Sequence, residues 1–262
     1  MPQKAKLGQN FLVDHSARSR IVEALGDISD KTVVEIGPGK AAITELLAQK
    51  AHRLIAVELD RELARILKQR FAESHVEVIE QNILIVDLAS FRDDGKKLLV
   101  VGNLPYYITS DILLHLFSYH DAISRAVVMM QREVADRVAA EPGSRDYGLL
   151  SATTQLYARV EKLMTLPPGA FSPPPQVHSS VLRLTFAPRF EELGVDAEGF
   201  IAFLRVCFAQ KRKTLMNNLR TAGFEASDIA AAMKSAAIPP QARAEAIPLQ
   251  AMAKLYPVLQ PV

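Results

Sequence analysis

The sequence predicts an α/β fold: an open, mostly parallel sheet followed by a small all-helical C-terminal domain. Short β-rich runs at Thr32–Ile36, 54–57, 76–79, 98–101 and 126–130 are separated by segments of helical spacing, such as Ile43-Leu46-Leu47 and Leu63-Ile66-Leu67. They are mostly apolar runs of four or five residues rather than strict alternation, which suits strands covered on both faces. Beyond Pro188 the β signal stops, and Phe200-Phe203-Leu204-Cys207-Phe208 repeats at i, i+3, i+4, i+7 and i+8.

Taken in order, the alternation over the first two thirds describes an α/β sheet. After residue 150 the rhythm changes. A run over 160–166, a proline-rich stretch from Pro167 to Pro175 and a run over 177–186 follow with no long helix between them. Two β-like runs so connected predict an antiparallel edge on the sheet. The break at Pro188 sets a boundary near residue 187, giving expected domains of 1–187 and 188–262.

Composition removes several classes. The chain has 262 residues and is 49% hydrophobic, an ordinary fraction that excludes disordered and fibrous proteins. No apolar run approaches the ~18 residues of a membrane span, so no membrane association is expected. The first residues, Met-Pro-Gln-Lys-Ala-Lys, lead into no apolar signal core, and one cysteine permits no internal disulfide. Both point to a reducing, cytoplasmic setting. The net charge of +2 says little about nucleic acid, so charge placement must decide.

The segment Val33-Val34-Glu35-Ile36-Gly37-Pro38-Gly39-Lys40-Ala41-Ala42 reads as a strand entering a glycine-rich turn and then a helix. The next strand ends at Val57-Glu58, where a carboxylate can accept from both ribose hydroxyls of an adenosine cofactor. A dinucleotide needs backbone N–H groups on its pyrophosphate. Pro38 removes one such donor, and Ala42 stands where the dinucleotide pattern has its third glycine. S-adenosylmethionine carries no phosphate, and Glu35 suits its ammonium and sulfonium. These residues favour S-adenosylmethionine over NAD.

The fourth strand ends Val100-Val101-Gly102-Asn103-Leu104-Pro105-Tyr106-Tyr107, at the edge that faces the ligand crevice of an open sheet. An adenine amine is a poor nucleophile because its lone pair is delocalised into the ring. Two acceptors on its protons, the Asn103 oxygen and the Leu104 carbonyl, favour a pyramidal nitrogen with an available lone pair. Pro105 fixes the turn, and Tyr106 offers a ring for the base to stack on. The same four residues could also form a plain Asn-Pro turn with buried tyrosines.

With these motifs in place, the chain resembles the ribosomal RNA adenine N6-dimethyltransferases. The resemblance runs through Leu7-Gly8-Gln9-Asn10-Phe11-Leu12, Glu35-Ile36-Gly37-Pro38-Gly39, Glu58, Asn103-Leu104-Pro105-Tyr106 and Gln131-Arg132-Glu133-Val134-Ala135. It continues with Phe171-Ser172-Pro173-Pro174-Pro175-Gln176-Val177 and ends at Gln210-Lys211-Arg212-Lys213-Thr214-Leu215. It implies a Rossmann-like methyltransferase sheet using S-adenosyl-L-methionine, with S-adenosyl-L-homocysteine as product and no metal. The last motif resembles the housekeeping branch, which implies dimethylation of two adjacent adenines near the 3′ end of small-subunit (16S) ribosomal RNA by a monomer.

The resemblance also implies residue roles. Asn10 and Leu12 close over the cofactor, Gly37 approaches its methionine part, Glu58 holds the ribose, and Asn103 touches both cofactor and target. Phe171 stacks on the target base opposite Tyr106. The aspartate that reads the cofactor's adenine is replaced here by Asn82, which keeps an acceptor but gives up a charge-assisted bond. Ala41 replaces a glycine found in some relatives.

The six histidines have no metal-ligand spacing, and Cys207 belongs to an apolar stripe. Lys211-Arg212-Lys213, flanked by Arg205 and Arg220, is either a solvated helix face or an RNA-backbone contact, and the resemblance favours RNA. Two alternatives stay open: a large-subunit (23S) adenine methyltransferase of the resistance type, or a non-catalytic ribosome-assembly factor on the same fold.

Overall fold

The computed structural model describes residues 9–93 and 95–259, so Lys4, Lys6 and the Leu7-Gly8 part of the first motif lie outside the described residues. In chain order its first elements are β1 (Phe11–Leu12), α1 (His15–Glu23), β2 (Thr32–Ile36), α2 (Thr44–Ala48), β3 (Arg53–Glu58), α3 (Arg61–Arg70) and β4 (Val76–Glu80). Then come β5 (Leu98–Asn103), α4 (Thr109–Ser118), β6 (Ile123–Gln131), α5 (Arg132–Val138), α6 (Leu149–Tyr157), β7 (Ala158–Leu166), β8 (Phe171–Ser172) and β9 (Ser179–Phe186). The rest is helical: α7 (Phe190–Leu193), α8 (Ala197–Cys207), α9 (Leu215–Thr221), α10 (Ala226–Ser235) and α11 (Leu249–Leu255).

Seven strands form one sheet in the order β4-β3-β2-β5-β6-β9-β7. The β2–β3, β3–β4, β2–β5 and β5–β6 pairs are parallel, while β9 runs antiparallel to β6. The expected antiparallel edge is present. All five residues of β2 are buried, Glu35 among them, as are the first five of β5, so both strands are covered on both faces. The chain leaves β2 toward β3 and β4, then returns to place β5 on the other side of β2. The direction of winding reverses there, and a crevice opens at the carboxyl ends of β2 and β5.

The chain divides into two compact units. One runs to Ala135 and resumes over Val160–Phe186; the other takes Asp136–Arg159 and the chain from Ala187 onward. The single boundary expected near residue 187 therefore misses the first piece of the second unit. Its reason is visible in backbone pairing within that unit. Ala187 and Arg189 N–H groups donate to the Tyr157 and Leu156 carbonyls at 3.0 Å each, and Gly143 N–H donates to Glu245 at 2.8 Å. Helix α6 packs against α8 and α11. Phe200, Phe203 and Cys207 are buried, confirming the apolar stripe of α8 as core.

A second, two-stranded sheet was not legible in advance. Strand β1 pairs antiparallel with β8, setting Phe11 opposite Ser172 and Leu12 opposite Phe171. The start of the described chain is thereby fastened to the proline-rich stretch, and Val13 N–H adds a 2.8 Å bond to the Ala170 carbonyl.

Candidate active site

The turn after β2 uses three consecutive positive-φ positions at alternate residues: Gly37 (φ 65), Gly39 (φ 58) and Ala41 (φ 67). This left-handed geometry costs a side chain roughly 1–2 kcal/mol, so Ala41 tolerates strain that glycine would avoid. At Gly39 space is also limiting. A Cβ there would come within 2.9 Å of the Phe11 ring, which therefore lies directly on the loop. Lys40 Nζ sits 4.6 Å from the centre of the same ring.

Glu58 terminates β3 and is 5% exposed. Its Oε2 accepts from Gly39 N–H at 3.0 Å and its Oε1 from Asp60 N–H at 2.9 Å. One carboxylate thus fixes the glycine loop and the N-cap residue of α3 together. Burial pushes its pKa upward, against the lowering effect of those two N–H donors.

Glu35, one residue before the end of β2, is more deeply buried at 2% exposed. Its Oε2 has no hydrogen-bond partner. Burial pushes its carboxyl up to about 8, and the charge of nearby Glu58 adds to the rise.

Asn103 ends β5. Its Nδ2 donates to the Asn10 carbonyl at 2.9 Å, while its Oδ1 is buried without a partner. Arg18 fastens the same segment, a strap of residues 10–12, by donating to the Leu12 carbonyl at 3.1 and 2.7 Å. Tyr106 shares a 2.8 Å hydroxyl–hydroxyl bond with Ser179, so its ring is held by β9. Burial raises the Tyr106 pKa, with the Ser179 bond opposing.

The structure brings Asn10, Leu12, Gly37, Glu58, Asn103 and Leu104 to one crevice, together with Pro105 and Tyr106. Two expected residues stand apart from its lining. Asn82 caps the turn 83–85, its Oδ1 accepting from Leu84 N–H at 3.1 Å. It follows Gln81, whose N–H donates to the Glu58 carbonyl at 3.0 Å, so it lies just beyond the crevice edge. Phe171 is only 3% exposed and belongs to the apolar core. The ring is therefore not presented for stacking in this conformation. Tyr107, which lines the crevice and is 61% exposed, is the aromatic that sequence reasoning passed over. Phe11 and Lys40 were also missed, because a ring covering a loop from a distant segment leaves no local signal.

The residues present fit S-adenosylmethionine. The turn offers close backbone approach with little N–H display, and two buried acceptor oxygens without partners, on Glu35 and Asn103, belong to residues of the same crevice.

A family model described as ribosomal RNA adenine dimethylase matches residues 2–260. The chain belongs to that family. Among curated relatives, a ribosomal RNA small subunit methyltransferase A of Acidobacterium capsulatum is 65% identical over 98% of this dimethylase and 91% of its own length. A protein of the same name from Koribacter versatilis is 56% identical, covering 97% and 93%. Among solved structures, a dimethyladenosine transferase from Plasmodium falciparum superposes with a TM-score of 0.79 at 23% identity, over 94% of this dimethylase and 95% of that chain. The 23S rRNA methyltransferase ErmE gives 0.75 at 23% identity, over 96% and 100%. Both structures share the fold read from the strand order of this dimethylase, a Rossmann-like methyltransferase sheet with a helical appendage.

The basic residues expected to meet RNA lie in the second unit. Lys211, Arg212 and Lys213 are exposed on the turn between α8 and α9, not on a helix face. Arg205 sits in the last turn of α8 and Arg220 in that of α9, both exposed.

Proposed function

We propose that this dimethylase transfers methyl groups from S-adenosyl-L-methionine to N6 of two adjacent adenines near the 3′ end of 16S ribosomal RNA, releasing S-adenosyl-L-homocysteine. The observation that carries this reading is the Asn103 Oδ1, a buried acceptor without a partner at the crevice where the target amine must enter. The small-subunit target is favoured by the similarity to proteins named ribosomal RNA small subunit methyltransferase A. The enzyme acts as a monomer, in the cytoplasm where ribosomal subunits are assembled, and needs no metal.

When bound, S-adenosylmethionine supplies a methyl group activated by the sulfonium charge. Asn103 Oδ1 and the Leu104 carbonyl accept from the two protons of the flipped adenine amine, which localises its lone pair. Alignment then carries most of the acceleration. Asn103 is neutral and acts as an acceptor; the proton leaves once nitrogen has become cationic, so no strong base is needed. Glu58 holds the ribose hydroxyls, the strap at Asn10 and Leu12 covers the cofactor, and Gly37 allows its methionine part to approach. Tyr106, fixed by Ser179, provides a stacking face, and Tyr107 a second one. Asn82 meets the cofactor's adenine at the crevice edge. Phe171 holds the strap in place through its pairing with Leu12 and its packing in the core. Arg205, Lys211, Arg212, Lys213 and Arg220 hold the RNA backbone.

Incubation with labelled cofactor and separated, unmethylated small and large subunits tests this. N6,N6-dimethyladenosine should accumulate in small-subunit RNA alone, after a transient monomethyl species. Label in large-subunit RNA would favour the resistance-type reading, and subunit binding with no label in either would favour a non-catalytic assembly factor.

A further inference from the structure

The second unit contains a cavity of about 480 Å³, and of its lining the methyl-transfer reading uses only Lys211 and Lys213. Arg137 lines it from the end of α5, Arg145 from the loop before α6, Lys211 and Lys213 from the turn before α9, and Gly148 to Ser151 from the start of α6. The cations outnumber the carboxylates of the lining, Asp146 and Glu245, two to one. Among the described residues none of the four cations forms an ion pair, whereas Glu245 already faces Arg243 at 3.8 Å. Lys211 Nζ donates to the Arg145 carbonyl at 2.7 Å, which ties the two walls together without neutralising either.

Two further lining residues are deeply buried and still carry polar atoms without partners. These are Tyr147, 1% exposed, through its hydroxyl, and Asn218, 3% exposed, through its Oδ1. Asn218 is oriented by its other end, Nδ2 donating to the Cys207 carbonyl at 2.7 Å and the Gln210 carbonyl at 3.3 Å. The first amides of α6 have no helical acceptor and carry the positive end of that helix dipole. An unpaired buried polar atom is costly, so a ligand that satisfies both atoms gains beyond its charge.

We propose that this cavity binds one phosphodiester of the RNA substrate together with its neighbouring ribose. Arg137 and Arg145 grip the phosphate by their planar forks, with Lys211 and Lys213 as point charges. A phosphate oxygen accepts from the Tyr147 hydroxyl, and the 2′-hydroxyl donates to Asn218 Oδ1. The site rests on RNA being the substrate and goes beyond it. It adds Arg137 and Arg145, and it separates Lys211 and Lys213 from Arg212, which does not line the cavity.

The test is equilibrium binding of full-length protein to a fragment from the 3′ region of small-subunit RNA, across a series of salt concentrations. The Arg137→Ala/Arg145→Ala double variant should lose affinity about tenfold or more. Its log–log salt slope should fall by about 0.7 for each phosphate contact removed. The Arg137→Lys/Arg145→Lys variant should keep the slope and lose part of the affinity, a split that a merely structural role would not produce. Arg212→Ala should change binding less than Lys213→Ala. Inorganic phosphate should displace RNA from the parent beyond a chloride control of equal ionic strength, and should do so less from the double alanine variant.

An unchanged slope and affinity in the double alanine variant, with its melting temperature retained, overturns the proposal. Phosphate protection without any change in RNA binding also overturns it, by making this a site for free phosphate. Because the readout needs no methyl transfer, a variant that binds RNA normally refutes the site alone. A parent that binds RNA and methylates neither subunit refutes the catalytic reading alone.

Discussion

Asn103 holds the strap with one end of its carboxamide and leaves the other end vacant: Nδ2 donates to the Asn10 carbonyl at 2.9 Å, and Oδ1 has no partner. The bond to the strap orients the amide, so in the proposed mechanism the residue that fastens the strap also offers its acceptor to the incoming amine. Removing it should therefore damage alignment more than affinity. Asn103→Ala is expected to lower turnover about 100-fold or more, the scale of a small misplacement of reacting groups. Cofactor affinity should drop by about 1 kcal/mol, one neutral hydrogen bond. Single-turnover kinetics and calorimetry on the same variant separate the two, and retained turnover would refute the role.

Glu58 fixes the glycine loop by accepting from Gly39 N–H, and in the proposed mechanism the same carboxylate accepts from the ribose. Glu58→Ala should weaken S-adenosylmethionine binding by about 1.5–3 kcal/mol, the scale of hydrogen bonds to a charged group. Asn82→Asp should strengthen binding or leave it unchanged. In Asn82 the Oδ1 already serves the cap on Leu84, whereas an aspartate would have a second oxygen free for the cofactor. Calorimetry checks both, and an Asn82→Asp variant that binds more weakly would count against that placement.

Glu35 gives the protein a pH dependence of definite sign. Its folded pKa is raised from 4.5 to about 8, chiefly by burial. Below the unfolded value both states are protonated and its contribution is fully present. As pH rises through 8 the unfolded chain ionises first, so stability falls by at most about 5 kcal/mol and then levels off. Glu58 is shifted in the same direction. Glu35→Gln should flatten the pH–stability curve in chemical denaturation. In the parent, affinity for the cationic cofactor should rise with pH up to about 8, because an ionised Glu35 attracts it. A cofactor affinity independent of pH over that interval would remove Glu35 from the site.

Phe171 and Tyr107 should separate cleanly under mutation. Phe171→Ala opens a cavity in the core and should cost about 3–5 kcal/mol of stability. Tyr107→Ala, at an exposed position, should change stability by about 0.5 kcal/mol or less while weakening base capture by about 1–3 kcal/mol. Thermal melts beside steady-state kinetics on RNA decide the matter. A stable Phe171→Ala protein with lost activity would restore the direct stacking role expected from sequence.

The crevice was largely legible because its pieces follow strands. Gly37, Glu58 and Asn103 each sit at the carboxyl end of a run whose apolar character marks it as a buried strand, and strand order then places them together. What could not be read depends on pairing between distant segments. The β1–β8 ladder joins residues whose separation leaves no periodic trace, and it turns Phe171 inward. Lys211 to Lys213 stood out as a charge run, but Arg137 and Arg145 join them only through the return of 136–159 to the C-terminal helices.

That return has a consequence for how the protein can be made and cut. Helix α6 leaves the growing chain long before α8 and α11, the helices against which it packs, exist. A product ended at residue 187 would be no clean catalytic fragment. It would carry an orphaned helix with Thr154 and Leu156, both fully buried in the whole protein, newly exposed to water. A fragment meant to isolate the sheet must also excise Asp136–Arg159 and join Ala135 to Val160 through a linker. During synthesis the second unit cannot close until translation of the described chain is almost finished.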